Sequence, residues 1–138
     1  MMTKQEFRNY LSGGIHFLDG ATGSNLMLSG MPKGCCAEKW ILEHPQPLLA
    51  LQQGYAQPGS DIIYAPTFQA NPIALEKEGL ADKTEEINAR LIALSRQAAP
   101  DCLIAGDLAT LATHCDSWNP DNFEHLVAAY LPLIGGHQ

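Results

Sequence analysis

A chain of 138 residues, 46% hydrophobic and 17% charged, has the size and composition of one modest α/β domain with room for a core. Its formal charge of -7, with only eight Lys and Arg scattered along it, excludes clustered phosphate contacts and so a nucleic-acid partner. No apolar run approaches the ~20 residues needed to cross a bilayer, so no membrane partner is expected.

The N-terminus MMTKQEFRNYL lacks the apolar stretch and small-residue cleavage site of a secretory leader. Four cysteines in an acidic chain read as reduced thiols rather than a disulfide framework. Both observations point to the cytoplasm. The first element in the chain is GIHFLDG at 14–20, a short apolar run closed by Asp-Gly, which predicts a buried strand ending in a turn. Residues 21–38 are rich in Gly, Ser and Pro and predict a long loop with at most one helical turn. HPQPLLALQQGYAQPG at 44–59 carries Leu48, Leu51 and Tyr55 at helical spacing and stops at Pro58-Gly59. SDIIYAPTF at 60–68 predicts a second strand broken by Pro66, and 71–79 a short helix ended by Gly79.

Asp82 followed three residues later by Glu85 reads as a capping box. It opens a helix to about Ala99, with Ile87, Leu91, Leu94 and Ala98 along one face. DCLIAGDL at 101–108 predicts a third strand. NPDNFEHLVAAYLPLI then starts a helix with Asn119 as cap and Pro120 at its first position. Phe123, Val127, Tyr130 and Leu131 should line its buried side, with Pro132 interrupting the backbone ladder near its end. Strands alternating with helices imply parallel pairing through right-handed crossovers, hence an α/β fold. There is no internal repeat.

A doubly wound open sheet and a barrel both fit this order, and in both the ligand sites gather at the carboxyl ends of the strands. Those ends are LDGATGSN, APTFQAN and GDLATLATHC, each polar and rich in small residues. They converge on a small-molecule site or, on the plainer reading, simply make turns. The Gly20-Ala21-Thr22-Gly23 turn has neither G-x-G-x-x-G nor the Lys-Ser/Thr of a phosphate loop, and the Asp19 carboxylate beside it would repel phosphate. Asp19 suits an ammonium group instead, with the free amides of the turn facing a carboxylate. Its alternative role is to cap the turn.

FLDGATGSNLMLSGMPKG and EKWILEHPQPLLALQQGYAQPGSDIIYAPTFQAN resemble the start of the homocysteine S-methyltransferase domain. That domain occurs in betaine-dependent enzymes and at the front of cobalamin-dependent methionine synthase. The resemblance runs from about Ile15 to Leu108 and weakens after Ala109. It implies a (β/α)8 barrel, of which this chain would be the N-terminal part with about three βα units. Residues 1–138 would then be a partial domain, since a full barrel takes ~250 residues. Carried over by the resemblance, Asp19 matches the carboxylate that holds the homocysteine ammonium. Gly20, Ala21 and Thr22 match the turn facing the amino-acid carboxylate, and Thr67, Phe68 and Gln69 match the second-strand segment lining the pocket. GDLATLATHC departs from the family pattern, and no substrate contact is carried over to it.

The resemblance also decides what to expect of Cys35-Cys36. The family activates the homocysteine sulfur on zinc held by three cysteines, which keeps it a thiolate ready to attack an activated methyl group. Two of those ligands are adjacent cysteines after paired glycines, but they follow the last strands of the barrel. Cys35 and Cys36 follow the first strand, Cys102 lies within the third and Cys115 in the loop beyond. His16, His44 and His114 complete no set. Zinc is therefore expected in the complete family domain, with its ligands outside this chain. The implied activity is methyl transfer to homocysteine giving methionine, the chain being inactive alone. The donor is left open among folate/cobalamin, betaine and S-methylmethionine types. The alternative is a non-catalytic fragment or a module binding an amino acid or a partner chain. With its sheet unclosed, the fragment is expected to self-associate.

Overall fold

The computed structural model describes residues 2–110 and 123–136. Its centre is a small parallel sheet. β1 (Ile62–Tyr64) pairs with β2 (Leu103–Ala105), Ile63 standing opposite Ile104. On the other side of β1, Leu18 forms a single parallel bridge with Ile62. The Asp19 N–H donates to the Ile62 carbonyl at 3.0 Å, and the Asp61 N–H donates to the Phe17 carbonyl at 2.8 Å. Three extended segments thus lie side by side in chain order and in one direction.

The strand expected over 14–20 is reduced to that one bridge. Only residues 17–19 reach β1, and among the described residues nothing pairs with their outer edge, so a regular ladder does not develop. Ile15 is 85% exposed and Phe17 63%. The second and third strands are also shorter than their apolar runs, three residues each.

The helices pack on this sheet for reasons visible in their sequences. Before them stands α1 (Lys4–Leu11), which was not foreseen. Its signal is Thr3-Lys4-Gln5-Glu6, a true capping box: the Glu6 N–H donates to Thr3 Oγ1 at 3.2 Å, and the Thr3 N–H to Glu6 Oε2 at 2.7 Å. The stretch expected to be mostly loop holds α2 (Gly23–Leu28) and the start of α3 (Ala37–Glu43). α4 (Pro45–Ala56) follows at once, with Pro45 at its first position. It buries Leu48, Leu49 and Gln52, and Gln52 Nε2 donates to the Tyr64 carbonyl at 3.0 Å. α5 (Pro72–Leu75) is capped by Asn71, whose Oδ1 accepts from the Ala74 N–H at 2.9 Å. A 3-10 turn extends it to Gly79, which stops it in the left-handed region at φ 67°.

α6 (Thr84–Ala98) starts later than expected. Residues 81–83 form a 3-10 turn, which puts Asp82 inside a turn rather than at the helix cap. The Asp82–Glu85 box therefore does not form, and the cap position, Lys83, has no side-chain hydrogen bond. The buried face agrees: Ile87, Leu91 and Ala98 are buried and Leu94 is partly buried against the core. That core is continuous through Leu26, Ile41, Leu48, Leu75, Ile87 and Leu91.

The last helix, α7 (Phe123–Gly136), packs on α6. Its expected cap, Asn119-Pro120, lies outside the described residues, as do Phe123's side chain, His114 and Cys115. Its contact stripe differs from the expected one. Ala129 and Leu133 are buried, whereas Val127 and Leu131 are exposed. In this orientation the 129–133 side faces inward and the Tyr130 hydroxyl donates to the Ala109 carbonyl at 2.8 Å. Pro132 removes the donor that would meet the Ala128 carbonyl, and Ala128 is exposed, so solvent can replace it.

Candidate functional site

The carboxyl ends of the three extended segments open into one cavity of about 560 Å³. Gly20 and Thr22 reach it from the first turn, Phe68 and Gln69 from the turn after β1, and Asp107 from the turn after β2. Cys35, Glu38 and Ile41 close it from α3 and the loop before it. The lining is mainly apolar with a few placed polar groups, the usual make-up of a small-molecule site.

The first turn is pinned from two helices. Tyr55 of α4 donates its hydroxyl to the Ala21 carbonyl at 2.9 Å, and Asn25 of α2 donates to the same oxygen at 2.7 Å. A Cβ on Gly20 would come within 2.9 Å of the Tyr55 ring and hydroxyl, so only glycine lets the turn lie this close. Asp19 precedes it. Both of its carboxylate oxygens are buried and have no hydrogen-bond partner. Burial pushes the Asp19 carboxyl above its ordinary range. The backbone amides of Tyr64 and of Asp19 itself pull it back without closing a hydrogen bond, and the Asp107 carboxylate adds to the rise.

The second and third turns are stitched together by Thr67. Its hydroxyl donates to the Asp107 carbonyl and accepts the Asp107 N–H, both at 2.9 Å, and the residue is fully buried. Of the seven expected site residues, Gly20, Thr22, Phe68 and Gln69 line the cavity. Asp19 precedes the lining Gly20 without lining the cavity itself, the Ala21 carbonyl is occupied by Tyr55 and Asn25, and Thr67 serves as the clamp between turns.

Glu38 was not foreseen. It sits in the first turn of α3 with only 4% of its surface exposed. Its Oε1 accepts the Gln69 N–H at 2.9 Å, and its Oε2 accepts the Cys36 thiol at 3.7 Å. Burial raises its carboxyl above the ordinary range, and hydrogen bonds from its own amide, the Gln69 amide and the Cys36 thiol offset part of that rise. One signal could have found it. Glu38 stands three residues before Ile41, on the helix face that packs inward.

Cys35 is exposed, Cys36 is half-buried, and the Cys102 thiol donates to the Ser60 carbonyl at 3.1 Å. Among the described residues no group of three or more His, Cys, Asp or Glu side chains could hold a metal ion. The described residues do not fit a zinc site. His16 is occupied otherwise: Nε2 meets the Tyr10 carbonyl at 2.9 Å and its ring stacks on Tyr10.

Two solved structures superpose on this arrangement. One is the metallated form of the homocysteine methyltransferase MmuM from Escherichia coli, with TM-score 0.79 and 19% identity, covering 94% of this chain and 52% of that one. The other is the oxidized form of the same protein, with TM-score 0.75 and 20% identity, covering 94% and 51%. The chain thus spans about half the length of these structures, and at such identities the likeness establishes the fold: helix-rich α/β with a small parallel sheet. A comparison with curated proteins finds no match. The homocysteine S-methyltransferase family matches over residues 16–137. The chain belongs to the homocysteine S-methyltransferase family.

Proposed function

We propose that these residues form the front portion of a homocysteine S-methyltransferase barrel and supply the side of its site that holds the amino-acid end of homocysteine. The observation that carries this reading is Asp19: a buried carboxylate with no protein partner, at a strand end beside a cavity. Such a group costs free energy unless a cation meets it, and an α-ammonium is a cation of the right size. Gly20 and Thr22 beside it leave room for the α-carboxylate, while Phe68 offers an apolar wall to the thiol-bearing side chain.

In the complete domain the reaction would form a sulfur–methyl bond as the donor's methyl passes to the homocysteine thiolate, giving methionine. Metal activation of that sulfur, and any contact that selects a folate/cobalamin, betaine or S-methylmethionine type of donor, would come from outside the described residues. The coverage of about half of each solved relative favours a second reading for the chain by itself, that of a non-catalytic amino-acid-binding piece. The free thiols of Cys35, Cys36 and Cys102 suit a reducing cytoplasm.

Asp19→Asn tests the proposal by calorimetric titration with homocysteine in the complete domain. A charge-assisted contact of ~1.5–3 kcal/mol predicts an affinity lower by roughly 10- to 100-fold. Unchanged affinity would show that the homocysteine ammonium does not meet Asp19.

A further inference from the structure

We infer that Glu38 is a positioning residue for substrate: its hydrogen bond to the Gln69 N–H sets the turn that carries Phe68 and Gln69 into the cavity. The inference rests on the reading of that cavity as a homocysteine site and names a residue which that reading does not include.

Side-chain hydrogen bonds hold the turn at both of its ends. At its start, Thr67 is clamped to the backbone of Asp107 through two bonds of 2.9 Å. Toward its end, the Gln69 amide donates to Glu38 Oε1 at 2.9 Å, a contact 31 residues away in sequence. Between them lies Phe68, half-exposed, whose carbonyl accepts the Ala109 N–H at 3.0 Å. Glu38 therefore ties α3 to the strand-end turn at the cavity wall. The Asn71 N–H on the Gln69 carbonyl at 2.8 Å and Asn88 Nδ2 on the Ala70 carbonyl at 2.7 Å hold the turn's far side, so losing Glu38 releases the Gln69 amide from α3 and loosens the turn locally. With its amide engaged, Gln69 keeps its exposed side chain, with two N–H donors, for a ligand carboxylate.

The negative charge is not what this task requires. Gln69 offers a neutral N–H and Cys36 a weak S–H donor, so the buried charge is poorly compensated. A glutamine has the same reach and an acceptor oxygen for Gln69. An aspartate keeps the charge but is one methylene too short. The two variants therefore separate positioning through the hydrogen bond from direct attraction of a cation, and neither removes enough of the side chain to prevent folding.

The test measures deuterium uptake of the segment containing Gln69 by mass spectrometry, together with homocysteine affinity by titration, in the complete domain with the wild-type sequence, Glu38→Gln and Glu38→Asp. Positioning predicts that Glu38→Gln keeps the slow exchange of that segment and binds within about threefold of wild type. Glu38→Asp should speed exchange there, leave α6 segments protected, and weaken binding about tenfold or more. The inference is overturned if Glu38→Asp behaves as wild type while Glu38→Gln loses binding, because charge is then the contact. It is equally overturned if neither variant changes exchange, or if both lose binding alike. Absence of homocysteine binding in the wild type defeats the substrate reading itself. The exchange measurement still decides whether Glu38 holds the Gln69 turn.

Discussion

Asp19 and Glu38 both have carboxyls raised by burial, so both bind a proton more readily in the folded state than in the unfolded chain. The stability they contribute is present below the ordinary carboxylate range and is lost as pH rises through their raised values. Removing those charges should therefore stabilise the protein at neutral pH. Asp19→Asn combined with Glu38→Gln is expected to raise Tm at pH 7 by a few degrees and to flatten its pH dependence above ~4. Thermal melts across that range check this, and a lower Tm at pH 7 would mean that an unrecognised cation meets one of the pair. The thiols divide in the same way. Burial, helped by the Glu38 charge, raises the Cys36 thiol, while Cys35 stands exposed at the cavity wall. Iodoacetamide should label Cys35 well before Cys36, read by peptide mass mapping. The position of Asp19 at the end of an extended segment was legible because Asp-Gly closes an apolar run. Glu38 is marked only by its spacing to Ile41, and its partner, the Gln69 amide, lies far along the chain. Nor could the clamp of Thr67 onto Asp107 be read, since a threonine at a strand end can turn either into a pocket or into the backbone.

Helices with a strong apolar period were legible, as were stops at Gly79 and near Ala99, but the start of α6 was not. Ile87, Leu91 and Ala98 give α6 its inward face because all three recur at helical spacing and nothing competes with them. Its start depended on a local contest: Asp82 could cap, but Thr84 donates its hydroxyl to the Ala81 carbonyl at 2.7 Å and draws 81–83 into a turn. α7 shows the reverse failure. From Leu126 to Ile134 it is apolar nearly all round, so periodicity could not choose between the expected stripe and the Ala129 and Leu133 side that is buried. The cap of α5 is the clearest case of local chemistry prevailing. Asn71 is buried, holds the Ala74 amide and precedes a proline at the first helical position. Asn71→Ala should cost about 1–2 kcal/mol, measured by denaturant titration. A cost near zero would show that the Gln69 turn, not the cap, fixes where α5 begins.

Among the described residues, the parallel extended segments in chain order leave two open backbone edges, one along residues 17–19 and one along β2. A closed barrel has no such edges. Here the strand faces are also bare: Ile15, Phe17 and Leu18 are exposed on one segment, and Phe68 and Leu108 beyond the other two. In solved relatives these residues superpose on about half of a larger fold, so the apolar faces have a natural covering in the rest of that fold. Produced as these 138 residues alone, the chain should cover them with another copy, by edge pairing or by face-to-face contact. Doubling three segments yields six strands rather than eight, so a dimer would not rebuild the barrel and should show no methyl transfer to homocysteine. Size-exclusion chromatography with light scattering measures the outcome directly. Species larger than the 15.0 kDa chain are expected, growing with concentration. A cooperatively melting 15.0 kDa monomer at all concentrations would show that the exposed strand faces are stable in water, and the partial-barrel reading would then be wrong.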